Sequence, residues 1–256
     1  ESITDHSSAD TSAHETIRAT QDQVVSIRQL ADEADAIAAY AHDIAAAELL
    51  LTIFGDRSAT RRLLDDDDFP ELVLAIRHAH SAGMNVATEL PRIVRNRPSE
   101  MVTAASLATT IRAFLRTRPT NGRPELVAGI VVDATVGLSD PQMLDALRKR
   151  YESIEQRADS LVDVAIESEQ PWAMAVAHSR NGDDSRSLLR MVAAYRERWD
   201  ITGDAPLGPR PDQSADRARH GDFQRLFEAL NRPIARPAVT ASPELAPPMT
   251  RPGRDL

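Results

Sequence analysis

The sequence contains no cysteine, which excludes disulfides, thiolate zinc sites, iron–sulfur clusters and cysteine nucleophiles. Lysine is almost as scarce. Lys149 is the only one, set in Arg148-Lys149-Arg150 with no glycine beside it, whereas a phosphate-binding P-loop needs a lysine directly after glycine. That excludes a Walker-type nucleotide site, and Lys149 is a poor Schiff-base candidate. Glycine (10 residues) and the aromatics (2 Trp, 3 Tyr, 5 Phe) are sparse for 256 residues, which disfavours a β-rich fold. Long apolar runs are missing too: Ile44 to Phe54 is broken by Glu48 and falls short of the roughly 20 residues of a membrane span. No charged-then-apolar leader opens the chain. A soluble, cytoplasmic protein without membrane insertion is expected. Because residue 1 is Glu1, a piece of a longer protein is also expected.

What remains is 42% apolar and 27% charged, with a net charge of −9. The apolar share is ample for a core. The negative charge disfavours binding of nucleic acid through the whole surface. Ala, Leu, Ile, Arg and Glu dominate, and the composition is helical.

Residues 1–11 are polar and read as a disordered lead-in. Beyond them Leu30, Ala34, Ile37, Ala41, Ile44 and Leu51 follow a heptad seam, with Glu48 at the missing position. Val24, Ile27, Ala31, Ala38 and Ala45 run beside it. A long, largely buried helix ending at Gly55 follows. Shorter helices come next. Ser58 caps one that ends in Asp65–Asp68; Pro70 opens another with Leu72, Ala75, Ile76 and Ala79, stopped by Gly83. Further helices start near Asn85 and at Ser99, and residues 119–124 form a loop. Glu125 to Val132 suits either a strand or a buried helix, and helix is the reading adopted.

Ser139 and Gln142 match a capping box. The helix behind them carries the seam Leu147, Tyr151, Ile154, Ala158, Leu161 and Ala165, and its natural partner is the first long helix. Two more helices cover Pro171–Ala177 and Asp184–Trp199. The expected fold is therefore all-α: an elongated multi-helix bundle over residues 12–208, built on two long heptad-patterned helices. Residues 209–256 form a Pro-rich flexible tail with a short amphipathic helix near 222–231.

No catalytic constellation emerges. His78 and His80 are two apart and point to different faces of a helix, so they make poor joint metal ligands. Asp65–Asp68 lacks the spaced oxygens and turn glycine of a calcium loop, and reads as a solvated helix end that caps the next helix. No Gly-x-Ser-x-Gly elbow is present. No metal site, cofactor or catalytic residue is assigned. Tyr195 and Trp199, at i and i+4, read as core rather than as a stacking platform for a nucleic-acid strand. Phe223, Leu226, Phe227 and Leu230 lie on one helical face with Asp222 as a cap. That face suits a partner's groove or the chain's own domain equally.

Four stretches carry a resemblance: Ser12-Ala13-x-Glu15-Thr16-Ile17-Arg18; Gly83-Met84-Asn85-Val86 with Leu90-Pro91-Arg92-Ile93-Val94; Ile154-Glu155-Gln156-Arg157-Ala158; and Val192 through Thr202. In this order, over residues 12–208, the chain resembles the C-terminal region of MobF-type conjugative relaxase-helicases of GC-rich Gram-positive bacteria. None of the four is a catalytic motif, and the family's tyrosine nucleophile, histidine triad and P-loop have no counterpart here. The resemblance implies a non-catalytic module of a DNA-transfer protein that engages a coupling protein, a secretion-channel component or another copy of itself. The alternative is an accessory module that binds single-stranded DNA through arginines of the second half, such as Arg148, Arg150, Arg196 and Arg198.

Overall fold

A computed structural model describes residues 25–55, 57–95, 102–117, 125–179 and 183–232. The Ser12–Arg18 stretch, Val24, the Ser99 cap, the 119–124 loop and the tail from residue 233 lie outside the described residues. Among the described residues the fold is all-α, with nine helices and one two-stranded hairpin.

Helix α1 (Ile27–Phe54) begins where the Ser26 hydroxyl accepts the Gln29 N–H, and ends at Gly55 in the left-handed region. Its 28 residues extend about 42 Å at 1.5 Å per residue. The buried stripe runs through Ile27, Leu30, Ala31, Ala34, Ala38, Ala41, His42, Ala46 and Leu50. It follows the expected seam only in the first half. A straight helix drifts about 20° per heptad, so the stripe slides off that seam and leaves Leu51 exposed. By length and composition α1 is also apolar enough to cross a membrane, contrary to the expectation from Ile44–Phe54 alone.

The drift lets α1 serve two cores. Its C-terminal half packs with α2 (Arg57–Leu64), α3 (Phe69–Ser81), α4 (Val86–Val94) and α5 (Ala104–Thr117). Here Ala75 and Ala79 of α3 and Ala104 and Ala108 of α5 permit close approach, while Leu72, Leu90, Leu107 and Ile111 are fully buried. Burying each of those larger side chains contributes about 1.5–3 kcal/mol. Asn85 caps α4 through the Thr88 N–H. At the start of α5, Thr103 and Ser106 each accept the other's backbone N–H. The acidic run does not cap α3 with Asp68, whose side chain makes no cap bond. Asp66 takes the N–H groups of Asp68 and Ala104 instead, tying the α2–α3 turn to α5.

The N-terminal half of α1 packs against α6 (Pro141–Glu167), as the paired seams anticipate, and against α8 (Asp183–Arg198). Leu147, Tyr151, Ile154, Ala158 and Ala165 of α6 are buried as expected, with Val162 buried beside a partly covered Leu161. The cap is Asp140, not Ser139: its carboxylate accepts the Gln142 and Met143 N–H groups. Pro141 at the first helical position agrees with that placement. Helices α7 (Pro171–Ser179) and α9 (Arg217–Asn231) complete the second core.

Residues 125–132 correct the helical reading. They form an antiparallel hairpin of β1 (Leu126–Val127) and β2 (Val131–Val132), pairing Leu126 with Val132 and Val127 with Val131. Ala128 and Gly129 turn the chain at φ 45° and 73°. The helices hold it in place: Glu155 Oε1 accepts the Ala128 N–H at 2.6 Å, and Arg198 donates to the Ile130 carbonyl at 3.0 Å.

Candidate interaction groove

The ends of α6 and α8 and the start of α7 enclose a groove of about 390 Å³. Leu161 and Val164 of α6, Trp172 of α7, and Ala193 and Ile201 at the end of α8 give it apolar walls. Gln170, Glu197, Asp200 and Thr202 supply polar edges. Val164 is 58% exposed, and Ile166, on the same stretch of α6, is 40% exposed. Neither belongs to the helix's buried seam.

Two helix ends shape the groove in the same way. Helix α6 closes with Glu169 at φ 50° and the Gln170 N–H donating to the Ala165 carbonyl at 2.9 Å. Helix α8 closes with Asp200 at φ 53° and the Ile201 N–H donating to Arg196 at 2.9 Å. Each is a Schellman closure with an acidic side chain where glycine is the usual residue. Left-handed φ is uncommon outside glycine and strained relative to the right-handed regions. Among the described residues, three non-glycine positions have positive φ, and these are two of them.

The floor is rigid. The Arg196 guanidinium lies over the Trp172 ring, 4.9 Å from its centroid. It also donates to the carbonyls of Gly203 and Ala205 at 2.6 Å, holding the segment after α8. Burial pulls its pKa down from the ordinary arginine value. Glu197 accepts from Arg157 Nε at 3.0 Å and, through its other oxygen, from the Ile27 N–H at 2.9 Å. One carboxylate thus joins α6, α8 and the first turn of α1, the end where unpaired N–H groups and the helix dipole favour an anion. Glu197 therefore locks the wall of the groove and is not an open ligand.

The arginines assigned to nucleic acid do not present a shared surface. Arg196 is enclosed as described. Arg198 bonds to the hairpin, lies 5.1 Å from the Trp199 ring centroid and stands 3.8 Å from Asp222. Arg150 pairs with Glu33 at 2.7 Å, and Arg148 is exposed. Tyr195 is buried and Trp199 partly so, as the core reading requires.

The tail helix folds back on its own domain. α9 starts at Arg217, capped by Asp216, so Asp222 is an interior residue and not the cap. Asp222 is buried, accepts from Trp199 Nε1 at 3.0 Å and pairs with Arg225. Burial pushes its carboxyl pKa up, against the opposing pull of Arg198 and Arg225. Phe223 and Leu226 are buried in the second core and Leu230 packs against it. Phe227, stacked on Phe223 with centroids 6.0 Å apart, is 50% exposed. Of the four residues proposed for a partner, three are thus engaged within the fold.

No group of three or more His, Asp or Glu among the described residues is placed to hold a metal ion. Sequence reasoning missed the groove because its lining comes from separate stretches that meet only through α6–α8 packing. Val164, apolar but off the α6 seam, was the available signal. No family model, curated protein or solved structure matches this chain.

Proposed function

We propose that this chain is a non-catalytic interaction and assembly module of a MobF-type conjugative relaxase, working in the cytoplasm. The groove between α6, α7 and α8 receives a segment of the partner protein. The observation that carries this reading is one partly apolar groove lined by the left-handed Asp200 and by Gln170, the residue after the left-handed Glu169. Non-glycine residues held in the left-handed region cluster at binding sites, and concave, partly apolar surfaces are where ligands dock. The resemblance adds the parent protein: its Val192–Thr202 stretch supplies much of the lining and its Ile154–Ala158 stretch the Arg157 anchor. The partner classes are the coupling protein, a secretion-channel component and a second copy of the chain.

Internal engagement of Arg150, Arg196 and Arg198, with the net charge of −9, favours a protein partner over single-stranded DNA. The test is a binding titration of the full chain against the purified coupling protein of a MobF transfer system. Saturable binding that Val164→Asp weakens about tenfold supports the reading, the effect expected of one well-placed interface residue. Binding that ignores Val164→Asp moves the interface elsewhere. No binding to the coupling protein, with self-association sensitive to Val164→Asp, makes the second copy the partner.

A further inference from the structure

His42 lies on α1 where that helix passes from one core to the other, between Ala46 of the first and Ala38 of the second. It is 4% exposed, and its Nε2 donates to the Ala134 carbonyl at 2.9 Å. A ring nitrogen facing a carbonyl must carry the proton, so the neutral ring has its other nitrogen bare. His80, near the end of α3, lies against Gly137. That glycine has φ 89°, and a Cβ there would fall 2.1 Å from His80 Nδ1. His80 Nδ1 is itself buried without a hydrogen-bond partner. The two rings border one cavity of about 210 Å³, closed by Leu49 of α1, Val73 and Ile76 of α3, and Ala87 of α4. Residues 133–140, which lead from the hairpin to α6, are thereby clipped across the seam between the two cores.

The charged surroundings are few. Arg77 comes from α3, Glu48 sits exposed at the cavity's edge on α1, and α4 contributes the uncharged Ala87. On the far side of Ala134 stand Tyr151 of α6, with Asp133 and Asp35 near it, and Asp140 caps α6.

We propose that His42 and His80 form an acid-released latch: neutral, they hold residues 133–140 across the two cores, and proton uptake frees that segment and loosens the seam. On protonation His42 gains a second N–H and both nitrogens of His80 become donors, one of them where no acceptor stands. Two imidazolium rings and Arg77 would then share one poorly solvated site. Burial holds His42 below the ordinary 6.5, opposed by its bond to Ala134 and reinforced by Arg77 and His80. Burial does the same to His80. Below 6.5 the closed form therefore binds fewer protons than the opened one. The latch is secure at neutral pH and weakens as pH falls into the interval between 6.5 and the lowered values.

Amide hydrogen exchange on the full chain, corrected for intrinsic rate, tests this. From pH 7.5 to 5.5, protection of residues 133–140 should fall about tenfold more than that of α8. In the double variant His42→Gln/His80→Gln, whose amides do not titrate, the excess should vanish. If that variant fails to fold, NMR titration of the wild-type imidazoles decides: both must titrate below 6.5. An acid response of 133–140 no larger than that of α8, an unchanged response in a folded double variant, or imidazoles titrating at or above 6.5 would overturn the proposal.

Discussion

Ala134 is held from both sides: His42 Nε2 donates to its carbonyl at 2.9 Å, and its N–H donates to Tyr151 Oη at 2.9 Å. One residue of an irregular segment thus joins α1 to α6. Its backbone groups are buried, so each needs its side-chain partner.

Tyr151→Phe should therefore cost more than a lost surface hydroxyl. It strands the Ala134 N–H in the core, a loss of about 1–3 kcal/mol. Urea unfolding followed by circular dichroism should show a lower midpoint with an unchanged slope. A midpoint equal to wild type would mean that the Ala134 N–H finds another acceptor.

Glu197 and Arg157 should behave as a coupled pair. Glu197→Ala removes the acceptor for both Arg157 and the Ile27 N–H, and about 1–3 kcal/mol of stability should go with it. Once Arg157→Met is present, Glu197→Ala should cost less than it does alone, with the residual reporting the Ile27 bond. Strict additivity in the double-mutant cycle would show that the pair does not interact.

Gly129→Ala tests how tightly the hairpin is seated. The position has φ 73°, and an added Cβ would lie 2.4 Å from Met191 Cγ on α8. Strain and crowding together should cost about 2 kcal/mol or more. Combining it with Met191→Ala should recover part of the loss, since only the steric share depends on Met191. No recovery would assign the whole effect to the backbone.

Leu226 and Phe227 are neighbours on α9 with opposite expected responses. Leu226 is fully buried, and Leu226→Ala should cost about 2–5 kcal/mol. Phe227→Ala removes a half-exposed ring and should cost about 1 kcal/mol or less in the free chain. A large destabilisation by Phe227→Ala would show that the ring is not spare surface.

Much of the fold is legible in the sequence where a single period governs. Along α6 the seam from Leu147 to Ala165 stays within one core throughout, so period and burial nearly coincide, with Val162 buried beside a partly covered Leu161. Along α1 they part company, because the helix changes neighbours near His42 and the stripe moves with it. Ser139 and Asp140 are both good caps one residue apart, and only Pro141 distinguishes them. The hairpin was hidden because Ala128 does not announce a positive φ, and Glu155, Arg198 and Met191 hold it from 27 residues or more away. The surroundings of the arginines were hidden for a related reason: Arg148 and Arg150 are close to each other in sequence, as are Arg196 and Arg198, but the partners of Arg150, Arg196 and Arg198 are carbonyls and carboxylates supplied by the folded chain.

The most direct test of the central claim is light scattering of the full chain titrated with a labelled single-stranded oligonucleotide at low and moderate salt. A protein-interaction module should leave the oligonucleotide free at both salts, its own mass unchanged by the titration. An oligonucleotide complex that forms at low salt, dissociates at moderate salt and is weakened by Arg148→Ala with Arg150→Ala would contradict the account and make DNA the partner.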